Sequence, residues 1–165
     1  MWPKLLSERQ GNDVSLKTAL LLMTSAFAPR AQEETCMGFL LVFVGSGIGG
    51  MARHGVNLAA LRWFGPGFPA GTLAINIAGS LLMGIVAEYW AIKSGLPQPV
   101  RLFLTTGVIG GFTTFSAFSL ETALLWERGQ SLTAMAYVAA SVALSIGALF
   151  GGLWLVRVLV GRGNL

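Results

Sequence analysis

A single cysteine, Cys36, and a single histidine, His54, are all the thiol and imidazole this 165-residue chain offers a metal. One cysteine builds neither an intrachain disulfide framework nor a thiolate metal site. It is expected outside the helices. A solitary histidine beside Arg53 at a helix end reads as an interfacial or packing residue, not a ligand. Charge is scarce as well, at 11% of residues, and most of the net +4 belongs to loops and termini. No glycine-rich loop is followed by the lysine that would cradle a phosphate, and no nucleic-acid module is present. Nothing points to enzyme chemistry.

What fills the chain instead is apolar: 54% of residues, with a mean hydropathy of +0.69. That exceeds the usual composition of a soluble domain. A transmembrane helix takes roughly 20 mostly apolar residues, and the chain divides into four such lengths at 38–61, 70–92, 100–126 and 132–160. The breaks carry turn chemistry: "RWFGPGFP" after the first, "KSGLPQP" after the second, "ERGQS" after the third, "GRGNL" at the end. Two prolines and two glycines in the first of these forbid a continuing helix. The expectation is an all-α integral membrane protein, its four-helix domain spanning 37–162.

Residues 1–36 read differently. They are mixed and charged, and their one apolar patch, Ala19 to Ala28, is too short to cross a bilayer. A secretory signal competes with a plainer reading, a disordered extension or a start codon assigned too early; the plainer reading is preferred. Charge placement agrees with it. From Met37 onward one side of the membrane receives Lys93, Arg101, Arg157 and Arg162, the other Arg62 and Arg128. So small a difference is a weak orienting instruction, and the chain could insert both ways up. Lys4, Arg9, Lys17 and Arg30 would make the bias decisive, so a protein working as an inverted pair implies that the extension is absent or poorly read.

Small residues recur at spacing four: Gly45 and Gly49; Ala70, Ala74 and Ala78; Ala143, Gly147 and Gly151. Close packing within one bundle accounts for them. Polar residues recur at the same spacing, with Thr72, Asn76 and Ser80 on the second helix and Tyr137, Ser141 and Ser145 on the fourth. Side chains of this kind commonly join helices, at about 0.6 kcal/mol per contact. The other reading is a polar track that replaces the hydration of a permeating ion or water file. For Asn76 the track is preferred, and for the serines both readings stand.

The third segment contains "IGGFTTFSAFSLE". Glycines crowded with β-branched threonines weaken an α-helix, so a break is expected near Gly110 to Thr114 in mid-membrane. Freed backbone groups at that depth are tolerated where they are buried in protein, line a wet cavity or ligate an ion. Beyond the break, Phe115 and Phe118 stand one turn apart on one face, followed by Glu121. Core packing explains two phenylalanines in isolation. Beside an amide and hydroxyls, their positive ring edges suit a small anion.

"GSGIGGMARHG", "FPAGTLAINIAGSLLMG" and "GVIGGFTTFSAFSLE" together resemble three motifs of the Fluc, or CrcB, family of fluoride channels, in the right order and over nearly all of 37–160. The resemblance implies an antiparallel, dual-topology homodimer with two pores in the plasma membrane, the inner membrane of a two-membrane cell. Its partners would be a second copy, fluoride and the lipid bilayer. Asn76, Phe115 and Phe118 match the pore amide and the phenylalanine pair; Thr72, Tyr137, Ser141 and Ser145 match polar pore positions. Gly110 and Thr113 match positions whose main-chain carbonyls, from both subunits, hold a structural sodium ion at the dimer centre. Arg53 matches a vestibular arginine and Glu121 the acidic residue after the signature. One departure is Ala117, where the family often has a hydroxyl.

The implied activity is passive, selective export of fluoride that relieves its toxicity. A proton-coupled four-helix exporter, with Glu88 or Glu121 as the ionisable group, and a non-transporting assembly factor are the alternatives. Both glutamates fall close to segment ends, which disfavours the exporter, and the assembly factor leaves the polar stripes idle.

Overall fold

A computed structural model of the chain describes residues 35–93 and 97–161. The chain divides between Phe39 and Leu40 into two units. Of the first unit, only the opening residues of helix α1 are described, so the expectation for 1–36 lies outside the described residues except at Thr35 and Cys36. Cys36 is exposed and belongs to α1, not to a segment before it.

Among the described residues, four helical stretches are long and apolar enough to cross a membrane. α1 is Thr35–Phe64, three residues longer at each end than the sequence places it. α2 is Ala70–Ile92. The third stretch, Gln98–Glu127, holds several elements: α3 (Gln98–Leu102), a π-helix (Phe103–Ile109), the short α4 (Gly110–Phe112) and α5 (Phe115–Glu127). α6 is Ser131–Gly161.

Glycine sets two of the reversals. Gly65 adopts φ +71° and Gly129 φ +75°, the left-handed conformation that lets a chain leave a helix without a Cβ clash. The Gly65 N–H closes on the Leu61 carbonyl at 3.0 Å, with Pro66 next in sequence. Gly129 and Gln130 donate to the carbonyls of Trp126 and Leu125 at 2.9 and 3.0 Å, and α6 begins immediately. A turn this short makes α5 and α6 antiparallel neighbours.

The third stretch departs from an ordinary helix twice. Over "FLTTGVI" the backbone widens to a π-helix, with the Thr105 hydroxyl donating to the Arg101 carbonyl at 2.9 Å. Back-bonding by threonine and a glycine at 107 both favour departure from the α-form. The α-form then ends at Phe112: Thr113 (φ −76°, ψ 158°) and Thr114 (φ −153°, ψ 122°) are extended, and α5 starts at Phe115.

Close approaches run through glycines, though only partly those of the spacing-four stripes. On α1, Gly45 and Gly49 meet the π-helix and α4 as backbone against backbone: a Cβ on Gly45 would lie 2.8 Å from Gly107 Cα, and one on Gly49 would strike the Val108 carbonyl. α2 and α6 pack along one another. They touch at Gly84, against the Leu149 carbonyl, and at Gly152, against the Leu81 carbonyl. The stripe of Ala74 and Ala78 is exposed, and Gly147 and Gly151 face open space. Packing within one chain therefore does not account for all the small residues. The reciprocal Gly84–Gly152 contact occupies a different face of each helix. Between the helices, Leu125, Ala134 and Tyr137 form the buried centre, with Leu73 and Phe118 packed against it.

Candidate functional site

The extended pair Thr113–Thr114 leaves backbone groups that no helix satisfies, and each unpartnered buried group costs roughly 1–3 kcal/mol. α2 supplies the main answer. Asn76 sits half-buried opposite the interruption; its Nδ2 donates to the Thr114 carbonyl at 3.0 Å and its Oδ1 accepts the Thr114 N–H at 2.9 Å. One side-chain amide thus takes the place of two helical partners. The Thr114 hydroxyl accepts the Ala117 N–H at 3.2 Å and caps α5. From α1, Arg53 Nη1 donates to the Thr113 carbonyl at 3.4 Å.

Turning the Thr114 N–H toward Asn76 has a second effect. In a continuing α-helix that N–H would close on the carbonyl of residue 110; here the Gly110 carbonyl loses its i+4 donor. The Thr113 carbonyl is also outside the helical ladder and keeps one lone pair beyond the Arg53 contact. Both residues line the same groove.

That groove, a cavity of about 620 Å³, is walled by α2, the third stretch and α6. It brings together Asn76, Gly110, Thr113, Phe115, Phe118, Ser141 and Ser145, with Ser80 beside them. Phe115 and Phe118 have ring centroids 5.5 Å apart with planes inclined at 47°. Phe115 stands largely clear of the chain, while Phe118 packs against the buried centre. The Ser145 hydroxyl is buried without a hydrogen-bond partner, while that of Ser141 lies within hydrogen-bonding reach of the Tyr137 hydroxyl. Buried hydroxyls normally find a partner, so Ser145 is a spare donor at the groove wall. Ala117 does not line the groove, so its missing hydroxyl takes nothing from this wall.

Thr72, Tyr137 and Glu121 form a separate cluster. The Thr72 hydroxyl donates to Glu121 Oε1 and the Tyr137 hydroxyl to Glu121 Oε2, both at 2.8 Å. Thr72 and Tyr137 are fully enclosed. The polar stripes of α2 and α6 therefore converge on α5 at one level and open into the groove at the next. Arg53 lines neither the groove nor this cluster. Sequence reasoning missed that Asn76 holds backbone, and that Thr72 and Tyr137 share one carboxylate; these partners are 16 to 49 residues apart in sequence, beyond any local pattern. Glu88, nominated for an exporter, is held by Arg157 in a two-pronged ion pair at 2.8 and 3.0 Å.

Residues 40–153 match the family described as CrcB-like protein, Camphor Resistance (CrcB). Among curated relatives, a protein of Granulibacter bethesdensis named "Fluoride-specific ion channel FluC" is 63% identical over 124 residues, 75% of this chain and 98% of the relative. "Fluoride-specific ion channel FluC 2" of Nitrobacter hamburgensis is 54% identical over 73% of this chain and 98% of its own length. A FluC of Rhodopseudomonas palustris is 55% identical with the same coverage.

Proposed function

Because this chain belongs to the CrcB family, we propose that it is a multi-pass membrane channel that conducts fluoride passively down its electrochemical gradient and so relieves fluoride toxicity. The observation that carries this reading is the groove. Its wall brings two phenylalanine rings together with Ser141, Ser145 and an amide whose second N–H is uncommitted. Fluoride is small and holds its water tightly. A file of neutral donors replaces that shell without a full cation to trap the ion, and several weak sites in series let it leave. Asn76, Phe115, Phe118, Ser141 and Ser145 are the residues assigned to the groove end of the path, with Thr72 and Tyr137 further along it. Glu121 is their polar support and Arg53 a residue of the vestibule.

Pairing belongs to the same proposal. The groove is open along one side, and the small-residue faces of α2 and α6 beside it are uncovered. We assign them to a second copy in inverted orientation, with the interruption of the third stretch at membrane depth and the cell's plasma membrane, or inner membrane, as the location. Sodium fits the donor set. The Gly110 and Thr113 carbonyls are hard oxygen donors free of the helical ladder, and no cluster of His, Cys, Asp or Glu competes for an ion among the described residues. Two carbonyls from each of two chains would hold the ion, which, when bound, fixes the pair.

Fluoride efflux from reconstituted vesicles, followed with a fluoride electrode, tests the reading. Rapid loss without a pH gradient is the expected result. Phe115→Ile and Phe118→Ile should abolish flux while the pair stays assembled; undiminished flux in both variants removes the ring-edge path.

A further inference from the structure

A fluoride path must meet water on both sides of the membrane, and the groove supplies one opening. It stops at Phe118. A second cavity, of about 370 Å³, lies where α1 ends, α2 begins and α5 ends; Asn57, Phe68, Gly71, Thr72, Glu121 and Arg128 are among its walls. The two cavities share no lining residue. Tyr137 spans the gap between them: its ring centroid is 5.3 Å from that of Phe118 on one side and 5.7 Å from that of Phe68 on the other. Its hydroxyl meets Glu121, which opens on the second cavity.

We propose that this second cavity is the far mouth of the conduction path, and that Arg128 is the residue that gathers fluoride there. The proposal rests on the fluoride reading above. An anion at this mouth faces the Glu121 carboxylate at the inner end, which repels it. Arg128 is the cation of the cavity wall; it is exposed and takes part in no salt bridge among the described residues. A cleft with apolar walls focuses the field of such a charge and raises the local concentration of a counter-ion. Asn57 completes the entrance. Its side chain lies against Gly71, where any Cβ would collide with the amide oxygen, so a bare backbone at 71 keeps room for it. Arg128 also ends α5, where a positive side chain favours the helix terminus, so its test must separate charge at the mouth from helix stability.

The experiment compares Arg128→Lys, Arg128→Gln and Arg128→Glu with the unaltered chain by fluoride efflux from vesicles at low and high ionic strength. Efflux should follow charge, with Lys close to Arg, Gln slower and Glu slowest. The spread should be roughly threefold to tenfold at low salt and should shrink toward unity near 1 M, where the screening length falls to about 3 Å. A helix-end role is screened by salt as well, but it lowers the midpoint of thermal unfolding in the same order as efflux. Charge-ordered efflux with unchanged midpoints assigns the charge to the mouth, and midpoints that fall in step with efflux overturn the assignment. Equal efflux from all four chains at low salt overturns the proposal while leaving the fluoride reading intact; no fluoride efflux from the unaltered chain overturns both. If Arg128→Glu does not assemble, Arg128→Cys in a Cys36→Ser background decides. An anionic thiosulfonate reagent should slow its efflux and a cationic one should not, and equal responses overturn the assignment.

Discussion

Asn76 places one amide against both backbone groups of Thr114. Asn76→Ala orphans an N–H and a carbonyl together, so a loss of about 2–4 kcal/mol is expected, seen as a lowered midpoint of thermal unfolding in detergent. Thr114→Ala removes the cap of α5 and should cost about 1 kcal/mol. A result in which Thr114→Ala is the more damaging would show that the amide contacts matter less than the cap. At this scale the sequence displays chemistry but not partners. The i, i+4, i+8 recurrence of Thr72, Asn76 and Ser80 makes a stripe legible, because helical spacing is local. That Thr72 leans to Glu121 while Asn76 leans to a main chain depends on how α5 is seated against α2, and no spacing within α2 encodes it.

Helices meet here with backbone nearly on backbone, and single methyl groups discriminate between faces. Gly84→Ala and Gly152→Ala each drive a Cβ into a carbonyl of the facing helix. Each should cost on the order of 1–3 kcal/mol as overpacking. Gly147→Ala and Gly151→Ala meet open space within the chain. They should spare the folding of one chain, and any damage they do should appear in pairing. Unfolding midpoints for the four variants, with chain mass in detergent, separate the two classes. The extents of the spans are readable from hydropathy and turn residues because water and lipid sort them so strongly. The π-helix is not. Weak helix formers in "FLTTGVIGGFTT" advertise a soft stretch, but the form it takes is decided by Gly45 and Gly49 of α1 pressing on it and by Arg53 and Asn76 reaching its end.

For the molecule as a whole, a single chain leaves its groove open along one side, with Phe115 78% exposed. Two chains in opposite orientation would close it. Mass measurement in detergent should give twice the chain mass, and C-terminal reporters should be found on both sides of the membrane. A monomer, or a single orientation, would refute the inverted pair. Replacing sodium by a bulky organic cation should weaken the pair, with dissociation read by the same mass measurement. Two carbonyls per chain cannot complete the shell of an ion alone, so the sodium dependence should belong to the pair and not to the fold of either half.

The clasp between Asn76 and Thr114 limits how this protein can be re-engineered. A side chain that both braces the architecture and borders the proposed route of the ion cannot be varied for one purpose alone: replacements there will rank by foldedness before they rank by permeability. Phe115 carries no such double duty, since its ring is largely exposed, touches Phe118 and braces no backbone group. Attempts to retune which halide passes should begin at that ring, where failure to conduct can be told apart from failure to fold.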